Sequence, residues 1–294
     1  MKSLSIIIVT YHSESDIFDC LASIWEYCDI PREKLEVIVV DNSPVCEPMF
    51  TRLREHYGES IVLVHNTHNG GYGQGNNVGI RQSAAPVVMV MNPDVRLMQP
   101  VFAEALAEFD KRSDLCMLGM KQMLSAQVVS PLSFDTTCLL NGYVAPILSS
   151  LCNKFNIYIP RWMHFSGSCF FVRKEKFEQA GLFDEDIFMY GEEDDIHWRM
   201  KRLFGRQFIY KRGLRYIHLT LDRPTMLSTE EKVLKSLVAV NRKRGVSEQS
   251  TVRNRLRYMR TRYVSAYCKK LLGRGNAAHM EVLRQVIGMM AVKC

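Results

Sequence analysis

Four short, continuous apolar runs rich in β-branched residues punctuate the first hundred positions, at 5–9, 35–40, 61–64 and 87–91. A strand with one wet face would alternate apolar and polar residues. Unbroken runs of this length instead predict central strands of a parallel sheet covered on both faces. Between the first two runs, Ile17, Cys20, Leu21, Ile24 and Cys28 recur at helical spacing, and Ser13 with Asp16 supplies a start signal for a helix over 13–28. Strand, helix, strand with a right-handed crossover is the repeating unit of a doubly wound sheet. A second amphipathic helix is predicted over 99–109, with Pro100 near its start.

Residues 120–165 lose this rhythm and yield no assignment. Order returns with a short strand at 168–172 and a helix at 194–203 that ends at Gly205. Two further short strands are predicted at 207–210 and 216–219. From about Ser228 onward the chain turns basic: Arg242, Lys243, Arg244, Arg253, Arg255 and Arg257 are followed by Arg260, Arg262, Lys269, Lys270 and Arg274. Leu256, Met259, Tyr263, Tyr267 and Leu271 form a helical apolar stripe among them. The sequence contains no internal repeat and no low-complexity segment.

Composition narrows the class. With 294 residues, 47% hydrophobic and 23% charged, the chain can bury a full core, and disorder is excluded. The longest apolar stretches fall far short of the roughly 20 residues that span a bilayer. Lys2 before an apolar run resembles the start of a leader peptide. The run stops at Thr10-Tyr11-His12 with no small-residue cleavage site, so it reads as a buried strand. Nine scattered cysteines without a Cys-x-x-Cys pair point to reduced thiols and a cytoplasmic setting, not to a disulfide framework or zinc site.

Ligands of open parallel sheets gather beyond the carboxyl ends of the strands. There the chain delivers Thr10-Tyr11-His12, Asp41-Asn42-Ser43, a glycine-rich loop over 69–80 and Asn92-Pro93-Asp94. One such residue is commonly a turn or cap, but four consecutive strands deliver polar groups to one edge. Glycines in the loop would let backbone amides approach a diphosphate, with a helix N-terminus behind them. The spacing is not that of a dinucleotide fingerprint, and no Gly-Lys-Ser/Thr makes it a P-loop.

Taken together, Val-Thr-Tyr at 9–11, Val-Val-Asp-Asn-Ser at 39–43, the loop and Asn-Pro-Asp-Val at 92–95 resemble family 2 glycosyltransferases. So do Gly-Ser-Cys-Phe-Phe-Val-Arg at 167–173, Gly-Leu-Phe-Asp-Glu at 181–185, Phe-Met-Tyr-Gly-Glu-Glu-Asp-Asp-Ile-His-Trp-Arg at 188–199 and His218. The nearest likeness is to the rhamnosyltransferase-like branch that builds bacterial surface glycans, and it covers roughly residues 1–220. It implies an α/β fold of GT-A type, a Rossmann-like, mostly parallel sheet flanked by helices. Residues 1–225 would form the catalytic domain, with a nucleotide-binding half at 1–98 and an acceptor-binding half at 99–225. Residues 226–294 would form a basic helical extension.

The resemblance implies transfer of a sugar from a nucleotide-diphosphate donor to a glycan or lipid-linked glycan acceptor. A divalent cation, Mg or Mn, would offset the charge of the departing diphosphate. Asp94 stands where the family's metal-binding Asp-x-Asp ends, and Asn92 occupies its first position without charge. An Asn-Pro-Asp turn is the plain structural alternative. His218 matches a late ligand histidine, and a packed histidine is the alternative. Thr10, Tyr11, Asp41, Asn69, Gly73, Asn76 and Asn92 would contact the donor, while His12 replaces the family's commonest Asn. Trp162 and Asp195 are acceptor-side candidates.

The acceptor hydroxyl needs a base. Of Glu192, Glu193, Asp194 and Asp195, alignment on Gly191 gives Glu193 the base position, and a one-residue shift gives it to Asp194. Acids at a helix start also simply complement the dipole. One base and no second carboxylate placed as a nucleophile, taken together with the resemblance, imply inversion. A non-catalytic sugar-nucleotide-binding or scaffold protein is the rival reading. A nucleotidyltransferase expects a basic residue in its loop, and residues 69–80 contain none. The basic segment is expected either to meet an anionic inner membrane face or to pack as a solvated helical face. With no recognition motif beside the charge, nucleic acid is not expected as a partner.

Overall fold

The computed structural model describes residues 1–219, 226–274 and 276–293, so the expected boundary at 225 lies outside the described residues. In chain order the elements begin β1 (Leu4–Thr10), α1 (Ile17–Glu26), β2 (Leu35–Asp41), α2 (Glu47–Tyr57), β3 (Val62–His65), α3 (Gly71–Gln82) and β4 (Val87–Met91). They continue with β5 (Val95–Leu97), α4 (Phe102–Lys111), β6 (Met117–Met123), β7 (Phe134–Thr136), α5 (Ala145–Phe155), β8 (Met163–Phe165), β9 (Cys169–Arg173) and α6 (Lys174–Gln179). The remainder is α7 (Glu192–Phe204), β10 (Phe208–His218), α8 (Leu227–Lys243), α9 (Glu248–Leu271) and α10 (Ala277–Val292).

Two units divide these elements. The first comprises Met1–Ser133, Phe165–Phe188 and the stretch from Asp195 through β10. Its eight-stranded sheet runs in the order β3-β2-β1-β4-β9-β6-β10-β5. The β1–β2, β1–β4, β2–β3 and β6–β10 pairs are parallel, whereas β9 runs antiparallel to β4 and β6, and β5 antiparallel to β10. The apolar runs read from the sequence are these strands. β4 is buried at every residue and β1 at six of its seven, because helices cover both faces. One face of the sheet builds the main core, in which Ile6, Ile8, Val37, Val39, Met89 and Phe171 pack against Leu21, Ile24, Phe50 and Phe102.

The predicted pair of strands at 207–210 and 216–219 is one strand, β10. Its register slips between Lys211 and Arg215, and that bulge interrupted the apolar pattern. The glycine-rich stretch is a larger correction. From Gly71 on it is helix α3, although Gly is a poor helix former. The glycines are there for close approach: a Cβ on Gly79 would lie 2.5 Å from Ile7 Cγ2, and one on Gly75 2.7 Å from Val9 Cγ1. Gly71 itself opens the helix at φ +91°, with the Phe188 carbonyl where a Cβ would be.

The second unit holds Phe134–His164, Met189–Asp194 and α8 to α10. Its strands β7 and β8 pair with each other, and its own core packs Leu234, Leu256, Met259, Leu283, Val286 and Met290. The apolar stripe predicted in the basic segment is thus buried at Leu256 and Met259, but Tyr267 and Leu271 stay exposed. Among the described residues, eight cysteines are free thiols, and no helix is long and apolar enough to cross a membrane.

Candidate functional site

At the carboxyl edge of β1 and β2, Thr10 Oγ1 and Ser43 Oγ both donate to Asp41 Oδ1, at 2.8 and 2.9 Å. The other carboxylate oxygen, Oδ2, is buried without a hydrogen-bond partner among the described residues. A buried acceptor of this kind is costly unless a ligand donor completes it. His12, at φ 50°, donates its backbone N–H to Ser43 Oγ, and Tyr11 is exposed beside it.

A second polar layer continues along the edge. Asn66 Nδ2 donates to Asn42 Oδ1 and to Gln74 Oε1, both at 2.7 Å, and Asn42 Nδ2 donates to the Gly71 carbonyl. Asn69 caps this end of α3 by accepting from the Gly71 N–H at 3.1 Å. Gly73 packs against Phe183, where a Cβ would come within 2.9 Å of the Phe183 Cβ. Asn76 is buried; its Nδ2 donates to the Tyr72 carbonyl, while its Oδ1 has no partner among the described residues. Sequence reasoning passed over Asn66 and Gln74. Both lie in or beside the polar stretch that follows β3, and only tertiary pairing distinguishes them.

Beyond β4, the Asn92 N–H donates to the Ser168 carbonyl at 2.8 Å. Val95 on β5 lies opposite His218 on β10, and the Leu219 N–H donates to the Asp94 carbonyl. This ladder brings the Asp94 side chain to His218, with Oδ1 3.2 Å from Nε2 and both side chains partly exposed. Two residues far apart in sequence therefore present a carboxylate oxygen and an imidazole nitrogen side by side. A carboxylate oxygen beside an imidazole nitrogen is a donor set that would suit a divalent cation. Among the described residues, no group of three or more His, Cys, Asp and Glu is placed to hold an ion by itself. Behind this edge, Ser168, Gln122 and Tyr216 form a buried hydroxyl–amide cluster that the sequence did not reveal.

In the second unit, the acids at the start of α7 differ sharply from one another. Asp194 is buried; its Oδ2 accepts from Arg244 at 2.9 Å and from the Cys138 N–H at 3.1 Å. Burial alone would raise this carboxyl, but the Arg244 charge, joined by His164 and the Cys138 and Thr137 hydrogen bonds, holds it well below the usual carboxylate range. Glu192 is buried too, with Oε2 unpartnered among the described residues; burial, then the Glu193 charge, pushes it well above that range. Burial also raises the half-buried Glu193, against the opposing pull of His164. Trp162 is exposed, and its carbonyl accepts from the Thr137 N–H.

Asp195 belongs to the first unit, where it is buried and pairs with Arg199 at 2.6 Å, one helical turn on. The basic segment is less free than its sequence suggests. Arg244 is committed to Asp194, and Arg255 to Glu230 at 2.7 Å, both pairs largely buried. Asn254 holds the loop before α5 by donating to the Cys138 and Leu140 carbonyls and accepting from the Gly142 N–H.

The family model of Glycosyl transferase family 2 matches residues 5–181. Over 217 residues the chain is 30% identical to the low-salt glycan biosynthesis hexosyltransferase Agl10 of Haloferax volcanii, covering 69% of this chain and 62% of that protein. It is 21% identical over 190 residues to the O-antigen biosynthesis protein RfbC of Myxococcus xanthus, which is 62% of this chain and 15% of RfbC. The chain thus spans less than two thirds of the length of either relative. Among solved structures, the mannosyltransferase PcManGT from Pyrobaculum calidifontis, in complex with GDP-Man and Mn2+, aligns at TM-score 0.62 and 16% identity, covering 98% of this chain and 84% of that one. TarS 1-349 of S. aureus with UDP-GlcNAc aligns at 0.57 and 16%, covering 89% and 71%. At these identities the likeness establishes the fold, the GT-A arrangement of a mostly parallel sheet flanked by helices.

Proposed function

The chain belongs to glycosyl transferase family 2, and from that premise we propose an inverting enzyme that moves a hexose or deoxyhexose from a nucleotide-diphosphate sugar to a hydroxyl of a glycan or lipid-linked glycan. The reading draws on the glycan-assembly roles named for the Haloferax and Myxococcus relatives and on the nucleotide sugars bound in the mannosyltransferase and TarS complexes. The observation that carries it is the Asp94–His218 pair at the carboxyl edge of the sheet, with the unpartnered Asp41 Oδ2 at the same edge.

Asp94 and His218 are the proposed holders of a divalent cation, Mg or Mn, in keeping with the Mn2+ of the mannosyltransferase complex. When bound, it supplies positive charge against the diphosphate that leaves. Asp41 Oδ2 accepts from a nucleobase N–H, with Thr10 and Ser43 fixing the carboxylate. Tyr11 stacks on the base, Asn92 meets the ribose or a phosphate, and Asn69, Gly73 and Asn76 lie toward the diphosphate. Trp162 offers an aromatic face to the acceptor sugar, and Asp195 orients Arg199, which donates to the Ala180 carbonyl and so ties α7 to the end of α6.

In the reaction, the acceptor oxygen attacks the anomeric carbon as the bond to the diphosphate oxygen breaks, and the hydroxyl proton passes to Glu193. Asp194 is unsuited to that role, because the buried Arg244 charge stabilises its ionised form and lowers its basicity. Glu193, raised by burial, is the better acceptor of a proton. The exposed part of the basic C-terminal segment is assigned to an anionic membrane surface on the cytoplasmic side.

The deciding experiment is transfer and hydrolysis with a panel of UDP-, GDP- and dTDP-sugars, with and without Mn, beside thermal shift. A donor-dependent stabilisation without turnover would favour the non-catalytic binding protein instead.

A further inference from the structure

Helix α5 buries a mixed side of small and polar residues and exposes its large apolar ones. Ala145, Ser149, Cys152 and Asn153 form its buried side, with Asn153 Nδ2 donating to the Phe134 carbonyl at 2.8 Å. A different face presents Val144, Ile147, Leu151 and Phe155, exposed at 50, 54, 49 and 60%. The spacings of three, four and four residues place all four on one stripe. Single exposed apolar residues are ordinary, but an aligned stripe of large ones is not. Tyr143 before the helix, and Ile157 and Trp162 after it, are exposed as well.

Helix α9 adjoins the start of this stripe. Arg257 lies over the Tyr143 ring at 5.7 Å, and a Cβ on Gly142 would meet the Asn254 carbonyl and the Tyr258 nitrogen. Along α9, Arg253, Arg257 and Arg260 occupy one exposed line, and Val264, Tyr267 and Leu271 continue it at the same spacing. No Asp or Glu occurs between Thr136 and Lys174, or between Gln249 and Met280.

We infer that the α5 stripe, with the exposed line of α9, is a docking face for an anionic lipid bilayer. Apolar side chains enter the interfacial layer while the arginines meet lipid phosphates, and Tyr143 sits at the boundary. A second copy of the chain is the poorer occupant, because a two-fold contact would set basic lines against each other. The inference deepens the membrane assignment of the basic segment by adding an apolar anchor outside it, and it does not depend on the transfer reaction.

The test is flotation of the full chain with vesicles of equimolar phosphatidylglycerol and phosphatidylcholine, against vesicles of phosphatidylcholine alone. Binding is expected on the anionic vesicles and weaker by about tenfold or more on the neutral ones. Ile147→Ser with Leu151→Ser, with circular dichroism unchanged, is expected to weaken binding by about tenfold or more, and Leu151→Trp to tighten it. Arg253→Gln with Arg260→Gln is expected to weaken it and to flatten its salt dependence. Salt-sensitive binding untouched by the serine pair would overturn the α5 anchor while leaving the basic segment's role intact. Absence of binding at low salt would overturn both. A dimer by light scattering that the serine pair dissolves would assign the face to self-association and overturn the lipid reading.

Discussion

Arg244 donates to Asp194 across 2.9 Å, and both side chains are almost wholly removed from solvent. The pair joins the C-terminal end of α8 to the acidic start of α7 and favours the ionised form of one acid of that cluster. Removing the cation alone would strand a buried carboxylate. Arg244→Met is therefore expected to cost about 3–5 kcal/mol in urea unfolding, and Asp194→Asn with Arg244→Met considerably less.

The same pair sets a pH dependence. The folded-state pKa of Asp194 lies below its unfolded value. Its contribution to stability is thus complete above the unfolded pKa of roughly 3.9 and lost as pH falls toward and through the folded value. The stability gap between the native chain and Asp194→Asn, measured by thermal unfolding, is expected to narrow steadily on acidification below about pH 4.

Glu193→Gln is expected to lower kcat by about 10²- to 10⁴-fold, with donor binding nearly unchanged by calorimetry. Because burial raises Glu193, activity in the native chain should fall on acidification at a pH above the ordinary carboxylate range. Glu193→Asp should retain part of the rate. A Gln variant with native kcat would remove Glu193 from the reaction.

Asp94→Asn and His218→Ala are each expected to reduce transfer by on the order of a hundredfold. Each should also abolish any extra thermal stabilisation by nucleotide diphosphate that requires Mn. Loss of activity with that metal-linked stabilisation intact would argue against a shared ion.

Gly71→Ala tests the reading of the glycine-rich stretch. The new Cβ would have to displace the Phe188 backbone and hold φ near +91°. A loss of about 1–3 kcal/mol is expected, measurable by chemical denaturation.

The sequence disclosed what was local and buried. The central strands appear as unbroken apolar runs because both faces of the sheet are covered. The polar residues at their ends share one edge because the strands are parallel. The glycine-rich stretch misled because low helix propensity was overridden by close packing of Gly75 on Val9 and Gly79 on Ile7, a contact no periodicity encodes. Residues 120–165 stayed unreadable for a related reason: α5 buries small and polar residues such as Ser149 and Asn153 and exposes Ile147, Leu151 and Phe155, so its apolar pattern does not mark the core side. Arg244 and Arg255 looked like surface charge because their partners, Asp194 and Glu230, are known only after folding. Which of Glu193 and Asp194 meets Arg244 was open for the same reason. The Asp94–His218 approach needed β5, a three-residue strand too short to announce itself.

The slip in β10 insulates that approach from changes in chain length. Lys211 and Arg215 pair with successive residues of β6, so residues 212–214 have no partner there; Leu214 is buried in the main core, but around Gly213 a side chain would meet open space. Lengthening the chain at Gly213 leaves the segment from Tyr216 to His218 clamped by β5 and β6. Deleting one residue inside that segment would instead turn the imidazole to the opposite side of the sheet. The bulge around Gly213 is thus where the strand can tolerate an insertion, and the last three residues are where it cannot.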